Sequence, residues 1–270
     1  MKMKLFASDL DGTLLNEKHI ISQQSADVIR TAQQTGKVFL AVTGRAWGTV
    51  YPLLKEAGVS CGAVLLNGAE YRTEDGKIVF QEHIKESAVS RILRILLEYG
   101  IDFEINTSCG DFSTNTGVCQ TARVFSKEKV FGEKGAEVQK FFIFSSEMPM
   151  LIRVKESLEH IKEINITSSD PHNIEITANN ATKDKMLAKV AKSLGIQENE
   201  IAVFGDGEND KTMLKRFYHS HAMENSHDSV KHCARYIIGT NKENSVAKQI
   251  EKIMEEEKNV IFYSKNTIKI

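Results

Sequence analysis

The chain is poor in the features that mark several protein classes. Three prolines in 270 residues leave no stiff Pro-rich linker. Four cysteines, Cys61, Cys109, Cys119 and Cys233, include no Cys-x-x-Cys pair, so a thiol-ligated zinc ribbon or redox motif is excluded. A Cys109–Cys119 bridge is allowed by spacing, but with no export signal the expectation is reduced thiols in a cytoplasmic protein. No apolar run approaches the ~20 residues of a membrane span. The start, MKMKLFASDLDG, has basic residues but no apolar stretch of signal-peptide length. Net charge is −1, and no basic block offers an arm for nucleic acid. No solenoid-period repeat or low-complexity tract is present. What remains is ordinary globular composition, 41% hydrophobic and 26% charged, long enough for one large or two modest domains.

The stretch Phe6-Ala7-Ser8-Asp9-Leu10-Asp11-Gly12-Thr13-Leu14 stands out. Met3 to Phe6 reads as a short buried strand. It delivers Asp9 and Asp11, which share one side wherever extended geometry persists, and Gly12 allows a sharp turn. Two carboxylates so placed repel unless a cation lies between them. The plain alternative is a hairpin turn at Asp-Gly. An EF-hand is excluded, because the glycine falls at the wrong offset.

The rest of the chain decides between these. Ser22 or Ser25 caps a helix that Gly36 closes. Val38 to Val42 is an apolar run, as expected of a strand covered on both faces, and ends at Thr43-Gly44-Arg45. A helix from about Ala46 to Ala57 and a strand, Ala63 to Leu66, follow; the strand ends at Asn67-Gly68. Strand–helix–strand–helix–strand implies a parallel sheet. Glu70 to His83 reads as a hairpin. The next block is α+β: an amphipathic helix from Glu86 to Tyr99, strands at Ile101–Asn106, Phe112–Cys119 and Phe141–Phe144, a helix from Met150 to Ile161, and a strand pair at Ile164–Thr167 and Asn173–Thr177. Glu128 to Gly135 has no clear pattern. The first pattern returns with a helix from Lys183 to Leu194, a strand from Ile201 to Phe204 ending at Gly205-Asp206-Gly207-Glu208-Asn209-Asp210, a short strand at Tyr236–Ile238 and a helix from Val246 to Glu257. Val260 to Ile270 is either an edge strand or loose. The fold class is therefore α/β, a Rossmann-like core of residues 1–82 and 182–270 with a second, α+β domain inserted at 83–181.

Four apolar strands thus end in small, polar or acidic residues. In open α/β sheets, ligands bind beyond the carboxyl ends of the strands, so this coincidence favours a metal site over a hairpin. A carboxylate is a competent nucleophile toward phosphorus. Its approach to a phosphate is opposed by about 4 kcal/mol per charge pair at ~4 Å and an effective dielectric of ~20. Mg²⁺, with its oxygen preference, cancels that repulsion. Asp206 is the natural additional ligand. Thr43 and Gly44 offer a hydroxyl and an N–H to an oxyanion, and Lys183 adds a cation at a helix start.

Asp9-Leu10-Asp11-Gly12-Thr13, Thr43-Gly44-Arg45, Lys183 and Gly205-Asp206-Gly207-Glu208-Asn209-Asp210 together resemble the haloacid dehalogenase superfamily of phosphohydrolases, in its Cof-like branch with a large α/β cap. The resemblance implies that Asp9 is nucleophile and Mg²⁺ ligand. Asp11 is the general acid, then base, and binds the metal through its backbone carbonyl. Leu10 N–H, Thr43, Gly44, Lys183 and Asn209 hold the phosphoryl oxygens, and Asp206 completes the metal site with Asp210 in or beside it. The implied function is a Mg²⁺-dependent phosphatase of small phosphorylated metabolites, sugar phosphates foremost, working through an aspartyl-phosphate as a cytoplasmic monomer or weak homodimer. The alternatives are a phosphosugar mutase and a non-catalytic phosphometabolite-binding protein. Ala222-Met223-Glu224-Asn225-Ser226 and Glu243-Asn244-Ser245-Val246 depart from the family pattern, outside the chemical residues. His219, His221, His227 and His232 crowd together in a spacing that matches no standard zinc pattern, so packing is the expected role. Phe112, Phe125 and Phe131 either line a cap pocket or fill the cap core.

Overall fold

The computed structural model describes residues 2–115, 122–127, 130 and 136–266. β1 (Leu5–Ser8) is wholly buried. It leads into a tight turn over Leu10–Leu14, closed by the Leu15 N–H on the Leu10 carbonyl at 2.8 Å. Gly12 turns there with φ 75°, and a Cβ at that position would run into the Asp206 carboxylate. No hairpin forms. The chain continues to α1 (Gln23–Gln34), capped by the Ser22 hydroxyl on the Ser25 N–H, then β2 (Val38–Val42), α2 (Trp47–Glu56) and β3 (Gly62–Leu65). β4 (Glu70–Arg72) and β5 (Ile78–Gln81) make the expected antiparallel hairpin.

The middle block contributes α3 (Glu86–Tyr99), β6 (Phe103–Thr107), β7 (Gly110–Ser113), β8 (Arg123–Val124), β9 (Val138–Phe144), α4 (Met148–Leu158), β10 (Ile164–Thr167) and β11 (Asn173–Ala178). The segment 128–135, all but Val130, lies outside the described residues, as do Cys119 and Phe131. The last block holds α5 (Lys183–Ser193), β12 (Ile201–Gly205), α6 (Lys211–Arg216), β13 (His219–Met223), α7 (Asp228–Lys231), β14 (Tyr236–Ile238) and α8 (Ser245–Asn266). β13 was not expected from the sequence. Its histidines and serine hide a strand whose stability comes from pairing in parallel with both β12 and β14. The helix expected to stop near Glu257 runs on to Asn266, so up to that residue the tail is not an edge strand. No helix among the described residues is long and apolar enough to cross a membrane.

One sheet has the order β14-β13-β12-β1-β2-β3-β4-β5 and is parallel from β14 to β3. Phe6, Phe39 and Phe204 are fully buried in it, each worth about 1.5–3 kcal/mol of transfer free energy. The second sheet, β10-β11-β9-β6-β7-β8, lies between β5 and β12 in the chain. Its strands alternate with period two. Phe103, Ile105, Phe141, Ile143, Ile174 and Ile176 are buried in one hydrophobic cluster with Val89 and Ile92 of α3 and Leu151 and Val154 of α4. Register places Glu104, Asn106, Lys140, Phe142 and Glu175 on the other face. Phe112 is buried in the same cluster, and Phe125 packs edge-on to Phe103 with ring centroids 5.0 Å apart. Both serve as core.

The sheets meet beside β4 and β9. The Ile84 N–H donates to the Val138 carbonyl at 2.7 Å, and Gln139 Nε2 to the buried Glu70 carboxylate at 3.1 Å. Asn67 and Gly68 turn the chain after β3 with φ 56° and 98°. A Cβ on Gly68 would collide with the Thr182 carbonyl, next to the Lys183 backbone nitrogen. Gly68→Ala therefore combines a left-handed backbone with a steric clash. We expect it to lower the unfolding free energy by about 1–3 kcal/mol, measured by urea titration. An unchanged midpoint would mean that the segment before α5 relaxes freely.

Candidate active site

Asp9 follows β1, and its N–H bonds the Phe204 carbonyl at 3.0 Å. Ser8 is level with Ala41 of β2 and Phe204 of β12. Thr43, Asp9 and Asp206 therefore leave three adjacent strands at one edge. Thr43 N–H bonds the Val64 carbonyl at 2.8 Å, and Asn67 N–H bonds the Thr43 carbonyl at 3.0 Å, which brings the loop after β3 to the same place.

Lys183 is the first residue of α5 and is 1% exposed. Its ammonium donates to Asp210 Oδ1 at 2.6 Å and to Asp9 Oδ1 at 2.7 Å. Asp210 also accepts from the Asp206 and Gly207 N–H groups, each at 2.9 Å. Thr13 donates its hydroxyl to Asp206 Oδ1 at 2.5 Å. Asp9, Asp206 and Asp210 each present an oxygen within 4.8 Å of the others. Among the described residues this is the one group of three or more potential metal ligands.

One ammonium among three carboxylates leaves an excess of negative charge. Burial, then repulsion from Asp210 and Asp206, raises Asp9 well above the usual carboxylate range in spite of Lys183. Burial and Asp210 push Asp206 up to about 7 against the pull of Thr13 and Lys183. Burial by itself would lower Lys183, but its pairs with Asp210 and Asp9 hold it above its ordinary value.

Asp11 takes a different path. The turn begins at Leu10, before Gly12, so Asp11 leaves the line of Asp9. Its carboxylate receives both Arg45 Nε at 2.6 Å and Nη2 at 2.5 Å. This two-pronged bond raises the Arg45 guanidinium further. Arg45 therefore pairs with a carboxylate at the sheet edge. Asn225 Nδ2 donates to the Gly12 carbonyl at 2.9 Å, so one loop that departs from the family pattern braces the first turn.

A cavity of about 410 Å³ lies over these groups. Asp9, Asp11, Thr43, Gly44, Arg45, Asp206 and Asn209 line it from the parallel sheet, and Glu104, Asn106, Lys140, Phe142 and Glu175 from the second sheet. Leu10 contributes no side chain, being fully buried. Sequence reasoning did not find Lys140 and Glu175. The only signal was a charge within a strand otherwise patterned for burial. A larger cavity, about 610 Å³, lies by Met3, β13 and β14. It borders His219 and His221, and the latter stacks between Phe204 and Tyr236. That is packing, and burial lowers the His221 pKa to about 4.

A sequence profile of the haloacid dehalogenase-like hydrolases matches residues 6–250. The chain belongs to that family. It is 29% identical over 283 residues to the 5-amino-6-(5-phospho-D-ribitylamino)uracil phosphatase YwtE of Bacillus subtilis, across 93% of this chain and 98% of that protein. A second B. subtilis phosphatase of the same name, YcsE, is 30% identical over 248 residues, across 92% and 94%. The solved structure of a haloacid dehalogenase-like hydrolase from B. subtilis superposes with a TM-score of 0.85 at 26% identity, over 92% of this chain and 99% of that one. The α/β core with an inserted cap is the fold of this family.

The electrostatics of the site yield a stability test. Lys183→Met would strand Asp9 and Asp210 without their shared ammonium. We expect the metal-free variant to lose about 3–5 kcal/mol, read by urea titration followed by circular dichroism. Wild-type stability would show that Lys183 does not neutralise this pair.

Proposed function

We propose that this hydrolase, which acts on phosphate esters, is a Mg²⁺-dependent phosphatase of small phosphorylated metabolites, with a sugar or sugar-alcohol phosphate as substrate. The observation that carries the reading is the buried set Asp9–Lys183–Asp210, of which Asp9 lines the cavity together with Asp206. Two relatives named for a ribityl phosphate substrate support the substrate class. The cavity volume lies within the range of small-molecule sites. Residues 83–181 are read as the cap, and 1–82 with 182–270 as the core.

Magnesium fits the donor set. The carboxylates are close together, oxygen-only and short of positive charge, as the raised Asp9 and Asp206 indicate. Asp9, Asp206 and Asp210, with the Asp11 backbone carbonyl, are the residues that would hold it. When bound, the ion supplies the charge that offsets repulsion between carboxylate and phosphoryl group.

The protein's own groups account for the remaining chemistry. An Asp9 carboxylate oxygen attacks phosphorus as the bond to the leaving oxygen breaks, giving an aspartyl-phosphate. Asp11 delivers a proton to the leaving alkoxide, then takes one from water as that water attacks phosphorus and frees Asp9 and inorganic phosphate. Leu10 N–H, Thr43, Gly44, Lys183 and Asn209 hold the phosphoryl oxygens, a role that is mainly electrostatic. Arg45 grips Asp11 before substrate arrives, so proton delivery requires the incoming ester to draw Arg45 away. The cap over the cavity keeps out bulk water.

Two measurements test this reading. The protein should release p-nitrophenol from p-nitrophenyl phosphate with Mg²⁺ and lose that activity on chelation. Asp9→Asn should lower turnover by at least about 10³-fold with an unchanged circular dichroism spectrum. A variant with wild-type turnover would remove Asp9 as nucleophile.

A further measurement concerns pH. Asp206 binds its proton more tightly folded, at about 7, than at the ordinary carboxylate value of 3.8, and Asp9 shifts the same way. At these two sites the metal-free fold therefore holds more protons than the unfolded chain, and their contribution to stability should fall as pH rises from about 4 to 7. Saturating Mg²⁺ should flatten that slope in thermal unfolding scans. A slope that ignores Mg²⁺ would count against these carboxylates as its ligands.

A further inference from the structure

The second sheet meets the loops of the parallel sheet through a buried ion pair that the chemistry above leaves unused. Lys140 of β9 and Glu175 of β11 lie 2.7 Å apart with side chains 6% and 3% exposed. Both reach out of their own sheet. Lys140 Nζ donates to the Gly44 carbonyl at 2.8 Å. Glu175 accepts from Asn67 Nδ2 and from the Ser169 hydroxyl. Asn67 is fixed in a left-handed conformation and 2% exposed, and its Oδ1 accepts from Asn209 Nδ2 at 3.1 Å.

The contacts crowd one spot. A Cβ on Gly44 would stand 2.9 Å from Asn67 Oδ1 and 3.1 Å from the Glu175 carboxylate. One cluster thus joins two cap strands to Gly44 and Asn209, two of the groups assigned to the phosphoryl oxygens. Stability does not explain the pair. A buried ion pair is commonly no better than apolar residues of similar volume, and this sheet already has its apolar core on the opposite face.

We propose that Lys140 and Glu175 are positioning residues: seating the cap sets the Gly44 peptide through Lys140, and the Asn209 amide through Glu175 and Asn67, so that the phosphoryl site is complete only when the cap is down. This rests on the phosphatase reading above. Its consequence is specific. The pair acts on the phosphoryl group, which every substrate shares, rather than on the leaving group.

The test is the double variant K140M/E175L, which removes both charges together and leaves neither stranded, compared with wild type and with E175Q. The double variant should unfold at a midpoint equal to or above wild type. Its inhibition constant for inorganic phosphate should rise about ten- to a hundredfold, and kcat/KM should fall by a similar factor. The fall should be the same for p-nitrophenyl phosphate and for a hexose 6-phosphate. E175Q should show the phosphate defect together with a lowered midpoint. A folded double variant with wild-type phosphate inhibition overturns the proposal, as does a loss confined to the hexose phosphate, which would make the pair a leaving-group contact. If the wild-type protein itself releases no phosphate from either ester, the phosphatase reading fails and this proposal with it.

Discussion

The ammonium of Lys183, shut between Asp9 and Asp210, is the interaction on which the arrangement of the site depends. A lysine excluded from water keeps its charge only beside anions, and two buried aspartates keep theirs only beside a cation. Each therefore needs the others at hydrogen-bonding distance, from three separate segments of chain. That requirement explains several backbone features. β1 and β12 pair in register, so that Asp9 and the loop bearing Asp210 emerge side by side. The backbone approaches closely at Gly68, which seats Thr182 and Lys183 at the start of α5. The Asp206 and Gly207 N–H groups hold Asp210, fixing the anion from its other side. The charge count is still unequal. Asp206 adds a third carboxylate that Lys183 does not hydrogen-bond, and this residual negative charge would favour a divalent cation.

How much of this was legible in the sequence depends on whether a residue's environment is set locally. Asp9, Thr43, Asn67 and Asp206 each end an apolar run, and parallel pairing alone carries such ends to one edge, so their meeting could be read from pattern. The direction of Asp11 could not. It is decided by a turn that starts at Leu10, two residues before the glycine, and by Arg45, 34 positions away. β13 was illegible for a related reason. His221 passes for a polar or metal-binding residue until Phe204 and Tyr236 are seen stacked on its two faces. There the aromatic surface of the imidazole matters more than its nitrogens, and burial holds it neutral.

The second sheet shows the same limit in another form. Its helices and most of its strands were readable, because apolar residues recur with the periods of helix and strand. What the pattern did not reveal was which solvent-like face would become an interior. Lys140 and Glu175 look like ordinary outward residues of a one-sided sheet. They are buried because the parallel sheet closes over that face, and only then does an unremarkable charge pair become a partner of Gly44 and Asn67.

That division of labour within each strand bears on how such a site can vary. Phe103 and Ile105 of β6, Phe141 and Ile143 of β9, and Ile174 and Ile176 of β11 belong to the cap's hydrophobic cluster, while Glu104, Asn106, Lys140, Phe142 and Glu175 on the opposite face line the cavity. Substitution at Glu104, Asn106 or Phe142 changes the lining of the cavity and leaves untouched the residues of the hydrophobic cluster. The same freedom does not extend to Lys140 and Glu175. These share the cavity face, but their bonds run into the loops around Asp9, so a change there alters the floor of the site as well as its roof. The period-two pattern thus sorts the cap into a fixed inner face and a variable outer one, and the buried pair marks where the variable face stops being free.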